Sequence, residues 1–397
     1  MNTLINNSRV LVNTVSLEFK RSLYNHFPWE QRLTGIVGGR GVGKTTLILQ
    51  YIKEKYADSD EAIYISMDNL YFSKTSLLDF TDDFYKLGGK YLFIDEVHKY
   101  PNWSQELKNI YDTYPELTVT FTSSSALDIH KGSHDLSRRA LIKTLPGLSM
   151  REYIQLFYGK PLNAYPIDEL IENHIEISLE INDHIKPVKV FNEYLSKGYY
   201  PFIMEDPTGY YQRINNAITT TIENDIHILY NIDLSSVLKL KKLMVILASM
   251  SPFKPNIEKL AKQLESTRDS VLKYLYYLHK ARLINLVGID PVGINYMNKP
   301  DKIYLENPNL SYALNEENIN TGTLRETFAL NQLMNATNVC THNKGDFYVN
   351  RKYTFEIGGK RKTAQQIKGL ENAYILADNI EYGQFNRIPL WLLGFLY

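Results

Sequence analysis

The sequence predicts an α/β chain whose amino-terminal part is a doubly wound parallel sheet, followed by a helical region and a second α/β segment. Three observations carry this. A glycine-rich turn, Gly38-Gly39-Arg40-Gly41-Val42-Gly43-Lys44-Thr45-Thr46, lies between an apolar run, Leu33 to Val37, and a helical pattern, Leu47 to Lys55. A second run, Lys90 to Ile94, closes on two adjacent carboxylates, Asp95 and Glu96, about 50 residues past that turn. Further β-rich runs at Ala62 to Ile65, Thr118 to Thr122 and Leu141 to Leu145 alternate with helical patterns, the order required by a parallel sheet with crossover helices.

The glycine-rich turn fits the P-loop pattern G-x-x-x-x-G-K-[ST] at Gly38, Gly43, Lys44 and Thr45. In that pattern, backbone amides and the positive end of the following helix receive a phosphate chain, and side chains in place of the glycines would block the approach. Lys44 is then expected to reach the β- and γ-phosphates, and the Thr45 hydroxyl to ligate Mg²⁺. Asp95 and Glu96 have the layout of a Walker B motif, with Asp95 holding the metal through its water shell and Glu96 polarising the attacking water. The expected cofactors are therefore ATP and Mg²⁺, and the expected activity is ATP hydrolysis.

Other residues carry roles with open alternatives. Ser123-Ser124-Ser125 ends a strand, and Ser124, with Ser123 close behind, is the expected sensor of the γ-phosphate; a serine-rich turn before a helix explains the same residues. Arg138 and Arg139 can neutralise charge developing on the γ-phosphate, in cis or in trans, or can be a solvated pair. The aromatics from Tyr24 to Trp29 can stack an adenine or simply pack.

With 397 residues the chain predicts two or three domains, and 44% hydrophobic content is enough to build their cores. Forty-four basic and 44 acidic residues cancel, so nucleic-acid or membrane binding would have to come from local patches. A lone cysteine, Cys340, allows no disulfide within the chain. No apolar run is long enough for a membrane span, and Met1 to Phe19 lacks a signal-like apolar core, so a soluble, cytoplasmic protein is expected.

Along the chain, Ser8 to Phe27 is expected as a helix packed beside the nucleotide domain, with Val12, Val15, Phe19 and Leu23 on or near one face. Gln105 to Tyr114 is a second helical pattern, after Trp103. Between Asn163 and Ile185, Asp168, Glu172, Glu176 and Glu180 recur every fourth residue and predict an acidic, solvated helix face; His174 and His184 raise a metal site as the alternative. Ser236 to Asp290 changes character, with helical patterns at Val237 to Met250, Ile257 to Glu265 and Asp269 to Lys280, then a strand at Leu283 to Ile289. Three helices and a trailing strand resemble a winged helix-turn-helix. The segment holds ten Lys or Arg against four Asp or Glu, a charge that can track phosphates. Its third helix is apolar over so much of its surface that packing explains it equally well. Lys302 to Leu305 is read as a strand, Leu324 to Asn335 as a helix, Asp346 to Val349 with Tyr353 to Ile357 as a hairpin, and the apolar tail Ile388 to Tyr397 as buried.

Taken together, Gly38 to Thr46, Asp95-Glu96 with Asn102-Trp103, the serine run before Ala126, and Arg139 resemble the prokaryotic AAA-type ATPases in which a P-loop domain precedes a winged-helix segment and a C-terminal domain of restriction-endonuclease-like fold. Gly198 to Pro201, Asp225-Ile226, Lys302 to Leu305 and Glu326 fall where that family places its linker and C-terminal signatures. The resemblance implies an ATPase domain over 1–155, a helical linker over 156–235, a winged helix over 236–290 and the endonuclease-like domain over 291–397. A DNA or protein partner for residues 236–397 is the expectation that the local charge of Ser236 to Asp290 raises. Nucleases of that fold use a Glu, an Asp and a Glu-x-Lys to hold metal. The similar positions here are Glu326, Asp346 and Glu356-Ile357-Gly358, where glycine replaces the lysine; Lys360 or Lys362 can swing in and Gln366 can assist, but a fold that has lost cleavage explains the same residues.

Overall fold

Strands β1 (Leu33–Val37), β2 (Ala62–Ser66), β3 (Tyr91–Asp95), β4 (Thr118–Ser123) and β5 (Leu141–Thr144) form one sheet in the computed structural model, in the order β2-β3-β4-β1-β5. Every pairing is parallel, with Ser66 beside Asp95 and Val37 beside Ser123. All five strands therefore end at the same edge, where the glycine-rich turn leaves β1 and Glu96 leaves β3. The structure describes residues 1–57, 59–123, 136, 138–249, 255–289, 300–315 and 319–397. It divides into two units, Met1–Gly147 and Leu148–Tyr397.

The first unit is an α/β P-loop NTPase fold. Its central strands are apolar because helices cover both faces: Leu92, Phe93 and Ile94 of β3 are buried, as are all five residues of β1. Helices Leu77–Lys86 and Trp103–Thr113 contribute Phe80, Phe84, Leu107 and Ile110 to the core. The first helix is not where the periodicity puts it. It runs Asn2–Thr14 and stops at an extended Val15, and only a short helix, Leu23–His26, follows. The reason is tertiary. Lys53 Nζ donates to the carbonyls of Asn13 and Val15, and Gln50 Nε2 donates to those of Ser16 and Phe19, so side chains of helix Lys44–Tyr56 take acceptors that a continuing helix would use.

In the second unit, helices Met150–Tyr158, Pro187–Lys197, Pro308–Leu314 and Thr321–Ala336 accompany a sheet of β8 (Val339–Cys340), β9 (Phe347–Val349), β10 (Tyr353–Gly358), β11 (Ala373–Ala377) and β12 (Arg387–Pro389). The order is β12-β11-β10-β9-β8; β8, β9 and β10 pair antiparallel, and β10, β11 and β12 parallel. The apolar tail is buried as expected: Leu390, Trp391, Leu392, Leu393 and Phe395 are at most 1% exposed and share a core with Phe328, Phe347 and Phe355. Buried Asn309 joins distant segments. It accepts from the Tyr199 amide at 2.8 Å and the Tyr210 hydroxyl at 2.5 Å, and donates to the Leu195 carbonyl at 2.8 Å. Helices Leu234–Ala248, Ile257–Gln263 and Arg268–Lys280 precede an antiparallel pair, β6 (Ile284–Val287) and β7 (Lys302–Leu305), with Ile284 opposite Leu305.

The acidic face expected along one helix is split between two, Ile167–Glu172 and His174–His184. Asp168, Glu172, Glu176 and Glu180 are exposed on them. His174 is instead buried, with Nδ1 2.8 Å from the Ile171 carbonyl. Among the described residues, no three His, Cys, Asp or Glu side chains are grouped to hold a metal ion.

Candidate functional site

The loop between β1 and helix Lys44–Tyr56 is shaped by backbone demands that glycine meets. Gly43 caps the helix at φ +96°, and Gly41 lies at φ +84°. Gly38 is needed for another reason: a Cβ there would sit 2.3 Å from the Leu145 carbonyl oxygen, far inside contact distance. From the other side, buried Arg21 holds the loop, donating to the carbonyls of Val42 at 2.6 Å and of Pro146 and Gly147 at 2.8 Å each. Lys44 is buried and folds back, its Nζ donating to the Gly38 carbonyl at 3.0 Å and the Gly39 carbonyl at 2.9 Å. Those weak neutral acceptors are ones that a phosphate would outcompete.

At the end of β3, Asp95 collects hydroxyls. Thr45 Oγ1 donates to its Oδ2 at 2.7 Å, Tyr64 OH donates to the same oxygen at 2.8 Å, and Thr122 Oγ1 donates to Oδ1. Burial, and after it the charge of Asp95, push the Tyr64 phenol far up, so it stays a donor. Thr122 also accepts from the Glu96 amide at 3.0 Å, which fixes the turn between the two acids. Glu96 itself adopts the left-handed conformation, φ 54°, and its Oε2 faces three basic groups: His98 Nε2 and Lys99 Nζ at 3.5 Å, and an Arg40 NH2 nitrogen at 3.7 Å. That oxygen is buried yet has no hydrogen-bond partner among the described residues.

The donor set suits Mg²⁺ with a triphosphate. Thr45 and Asp95 present hard oxygens within hydrogen-bonding distance of each other, and the glycine loop keeps free a cradle that a side chain at Gly38 would fill. Gly38 through Thr46, Lys44, Thr45, Asp95 and Glu96 are thus brought to one edge of the sheet.

Arg138 and Arg139 are not brought there. They immediately precede β5, whose Leu141 pairs with Thr34 near the start of β1, so they lie at the edge where the strands begin. Arg139 is engaged by Asp112, Nε to Oδ1 and NH2 to Oδ2 at 3.0 Å each, at the end of helix Trp103–Thr113. An arginine finger acting in cis does not fit this position. Ser124 lies outside the described residues; Ser123 is the last residue of β4. Trp29 stacks on Tyr51 at 3.9 Å and packs against Phe27, so its ring is used within the fold. Sequence reading missed Tyr64, Thr122, His98 and Arg21. Only Thr122 had a signal, as a polar residue near the tip of the strand beside β3.

In the second unit, Glu326, Asp346 and Glu356 do approach one another, but lysines stand among them. Lys302 Nζ is 3.3 Å from Glu326 Oε2 and 3.2 Å from Asp346 Oδ1, and Lys362 pairs with Glu356. Lys362 also lies over Gly358, where a Cβ would meet its side chain at 2.6 Å. Gln366, with its amide turned to suit its surroundings, donates to Glu356 as well. Burial raises both Glu326 and Glu356, with the Asp346 charge adding to each.

The parallel sheet, the glycine loop and the paired acids define a P-loop nucleotide-binding domain. Residues 30–154 match a family model described as an AAA domain, and residues 188–320 match one described as a domain of unknown function (DUF8612). The uncharacterized protein MJ1637 of Methanocaldococcus jannaschii is 29% identical over 285 residues, covering 66% of this chain; the match spans 58% of that relative's length. Among solved structures, AMPPCP-bound DnaA from Aquifex aeolicus is 15% identical, covering 69% of this chain and 92% of that one at a TM-score of 0.29. PCH-2 of C. elegans is 16% identical, covering 69% and 67% at a TM-score of 0.26. Likenesses this distant do not bear on function. Among the described residues, no helix is long and apolar enough to cross a membrane.

Proposed function

We propose that the protein is an Mg²⁺-dependent ATPase whose turnover changes the conformation of a partner-binding region within residues 236–397. The observation that carries this reading is the convergence of Lys44, the Thr45–Asp95 hydrogen bond and the Glu96 carboxylate at one end of the sheet. Lys44 exchanges its loop carbonyls for phosphate oxygens, and the loop amides bind the remaining phosphate charge. Bound Mg²⁺ would supply charge neutralisation on the phosphates, held by Thr45 and through water by Asp95. Glu96 orients and polarises the attacking water, a role open to a carboxylate oxygen whose three ion-pair contacts, at 3.5 to 3.7 Å, leave it without a hydrogen bond among the described residues. Steady-state phosphate release should require Mg²⁺ and ATP; a parent protein that binds ATP but releases no phosphate would leave only a nucleotide-binding reading.

A second reading, a nucleotide-gated binding module with little turnover, is supported by the surface of helix Leu234–Ala248. Leu234, Leu238 and Val245 are 75%, 66% and 56% exposed and share one helical face, which suits a protein partner. The winged-helix reading of residues 236–290 has three helices and strand β6 to support it, although β6 pairs with β7, beyond that range. Yet helix Arg268–Lys280 leaves only Arg268, Asp269 and Lys273 exposed, and Tyr277 stacks on Tyr230 at 3.8 Å. A helix so covered has little free surface for a DNA groove. ATP-dependent retention of duplex DNA, weakening steeply with salt, would favour DNA; none at low salt leaves the protein partner.

A further inference from the structure

His98 connects two parts of the nucleotide site that the motifs leave separate. Its ring is almost fully buried, with the side chain 3% exposed. Nδ1 lies 3.3 Å from Ser123 Oγ at the tip of β4, and Nε2 lies 3.5 Å from Glu96 Oε2. Ser123 pairs in register with Val37, the residue before Gly38, so this serine stands beside the root of the phosphate loop. The ring therefore spans from the base of that loop to the acid that orients water.

We infer that His98 is a positioning residue that couples Ser123 to Glu96, so that what the Ser123 hydroxyl contacts decides where the Glu96 carboxylate points. This rests on the ATPase reading above. The hydrogen-bond chemistry gives the coupling a direction. An ionised carboxylate only accepts, so a proton on Nε2 is the arrangement that makes the 3.5 Å approach to Glu96 attractive. In the neutral ring Nδ1 then accepts, and the Ser123 hydroxyl donates to it. A phosphate oxygen arriving near the loop root is a stronger acceptor than an imidazole nitrogen and competes for the serine proton. Losing that bond removes one restraint on the ring, and any turn of the ring carries its contact with Glu96 along. Arg40 and Lys99 face the same carboxylate oxygen at 3.7 and 3.5 Å, the first from the loop and the second from a half-buried position.

The test uses the full chain and ATP as ligand, with phosphate release, ATP titration calorimetry and thermal unfolding measured together. His98→Ala should lower kcat at least tenfold while KM and ATP affinity stay within about twofold, and Ser123→Ala should lower it in the same direction. The double variant should be no slower than the slower single one, because the two act in one chain. His98→Gln, which keeps an N–H where Nε2 lies, should recover part of kcat and should no longer respond to Ser123→Ala. It also serves if His98→Ala does not fold. With histidine-selective ¹⁵N labelling, the His98 resonances should report the Nε2–H tautomer and should move in both Glu96→Gln and Ser123→Ala. Parent-like kcat in His98→Ala, additive losses in the double variant, or His98 resonances indifferent to both substitutions would each overturn the inference. A parent that releases no phosphate would instead remove the ATPase reading, with the His98 resonances still testing the contacts.

Discussion

Thr45 and Asp95 are joined by a 2.7 Å hydrogen bond from the first turn of one helix to the last residue of a neighbouring strand, across 50 positions of sequence. Tyr64 and Thr122 donate to the same carboxylate, so Asp95 is held from three elements at once. If that pair is where a metal-bound phosphate settles, Thr45→Ala should weaken ATP binding about tenfold in Mg²⁺ and little in EDTA, whereas Thr45→Ser should behave as the parent. Titration calorimetry with and without the metal checks it, and equal losses in both buffers would argue against a metal role for Thr45.

Glu96→Gln keeps the shape of the side chain and removes its charge. Phosphate release should fall about 100-fold or more, the scale of a lost general base, while ATP still binds within a few-fold of the parent. Turnover at the parent rate would show that the water is oriented elsewhere.

At Gly38 the constraint is steric. Gly38→Ala places a methyl 2.3 Å from the Leu145 carbonyl oxygen, so the loop or the segment that follows β5 must move. A stability loss of roughly 1–3 kcal/mol is expected, from the usual cost of overpacking, together with loss of ATP binding. Chemical denaturation and calorimetry on the same sample separate the two effects. Unchanged ATP affinity would mean that the loop can relax without losing its function.

The second unit should carry its own pH dependence. Burial pushes the Glu306 carboxyl from 4.5 up to about 7, with Arg282 at 3.7 Å opposing the shift. The folded value lies above the unfolded one. The contribution of Glu306 to stability is therefore complete below pH 4.5 and is lost as pH rises through about 7. Glu306→Gln should flatten that loss and leave the variant more stable than the parent at pH 8. Urea titrations across this range decide it; a variant with the parent's slope would show that Glu306 is not the group responsible.

The P-loop fold was legible because its signals are local. Gly38 to Thr45 and Asp95-Glu96 are short motifs at the ends of apolar strands, and the alternation of strands and helices follows from chain order alone. The hairpin of β9 and β10 and the buried tail were readable for the same reason, since each shows in its own hydrophobic pattern. The end of the first helix was not, because side chains from Gln50 and Lys53 took its carbonyls.

What residues 38–46 and 95–96 determined by themselves is the chemistry on offer: amides for phosphate, a lysine, a hydroxyl and two acids. Which groups surround that chemistry was decided only by the sheet. Strand order puts Thr122 and Tyr64 on Asp95, and His98 between Ser123 and Glu96. Strand direction sends Arg139 to Asp112 at the far edge. The physical reason is that a hydrogen bond depends on distance in space. A chain read in order carries no measure of that distance once β4 has inserted between β1 and β3.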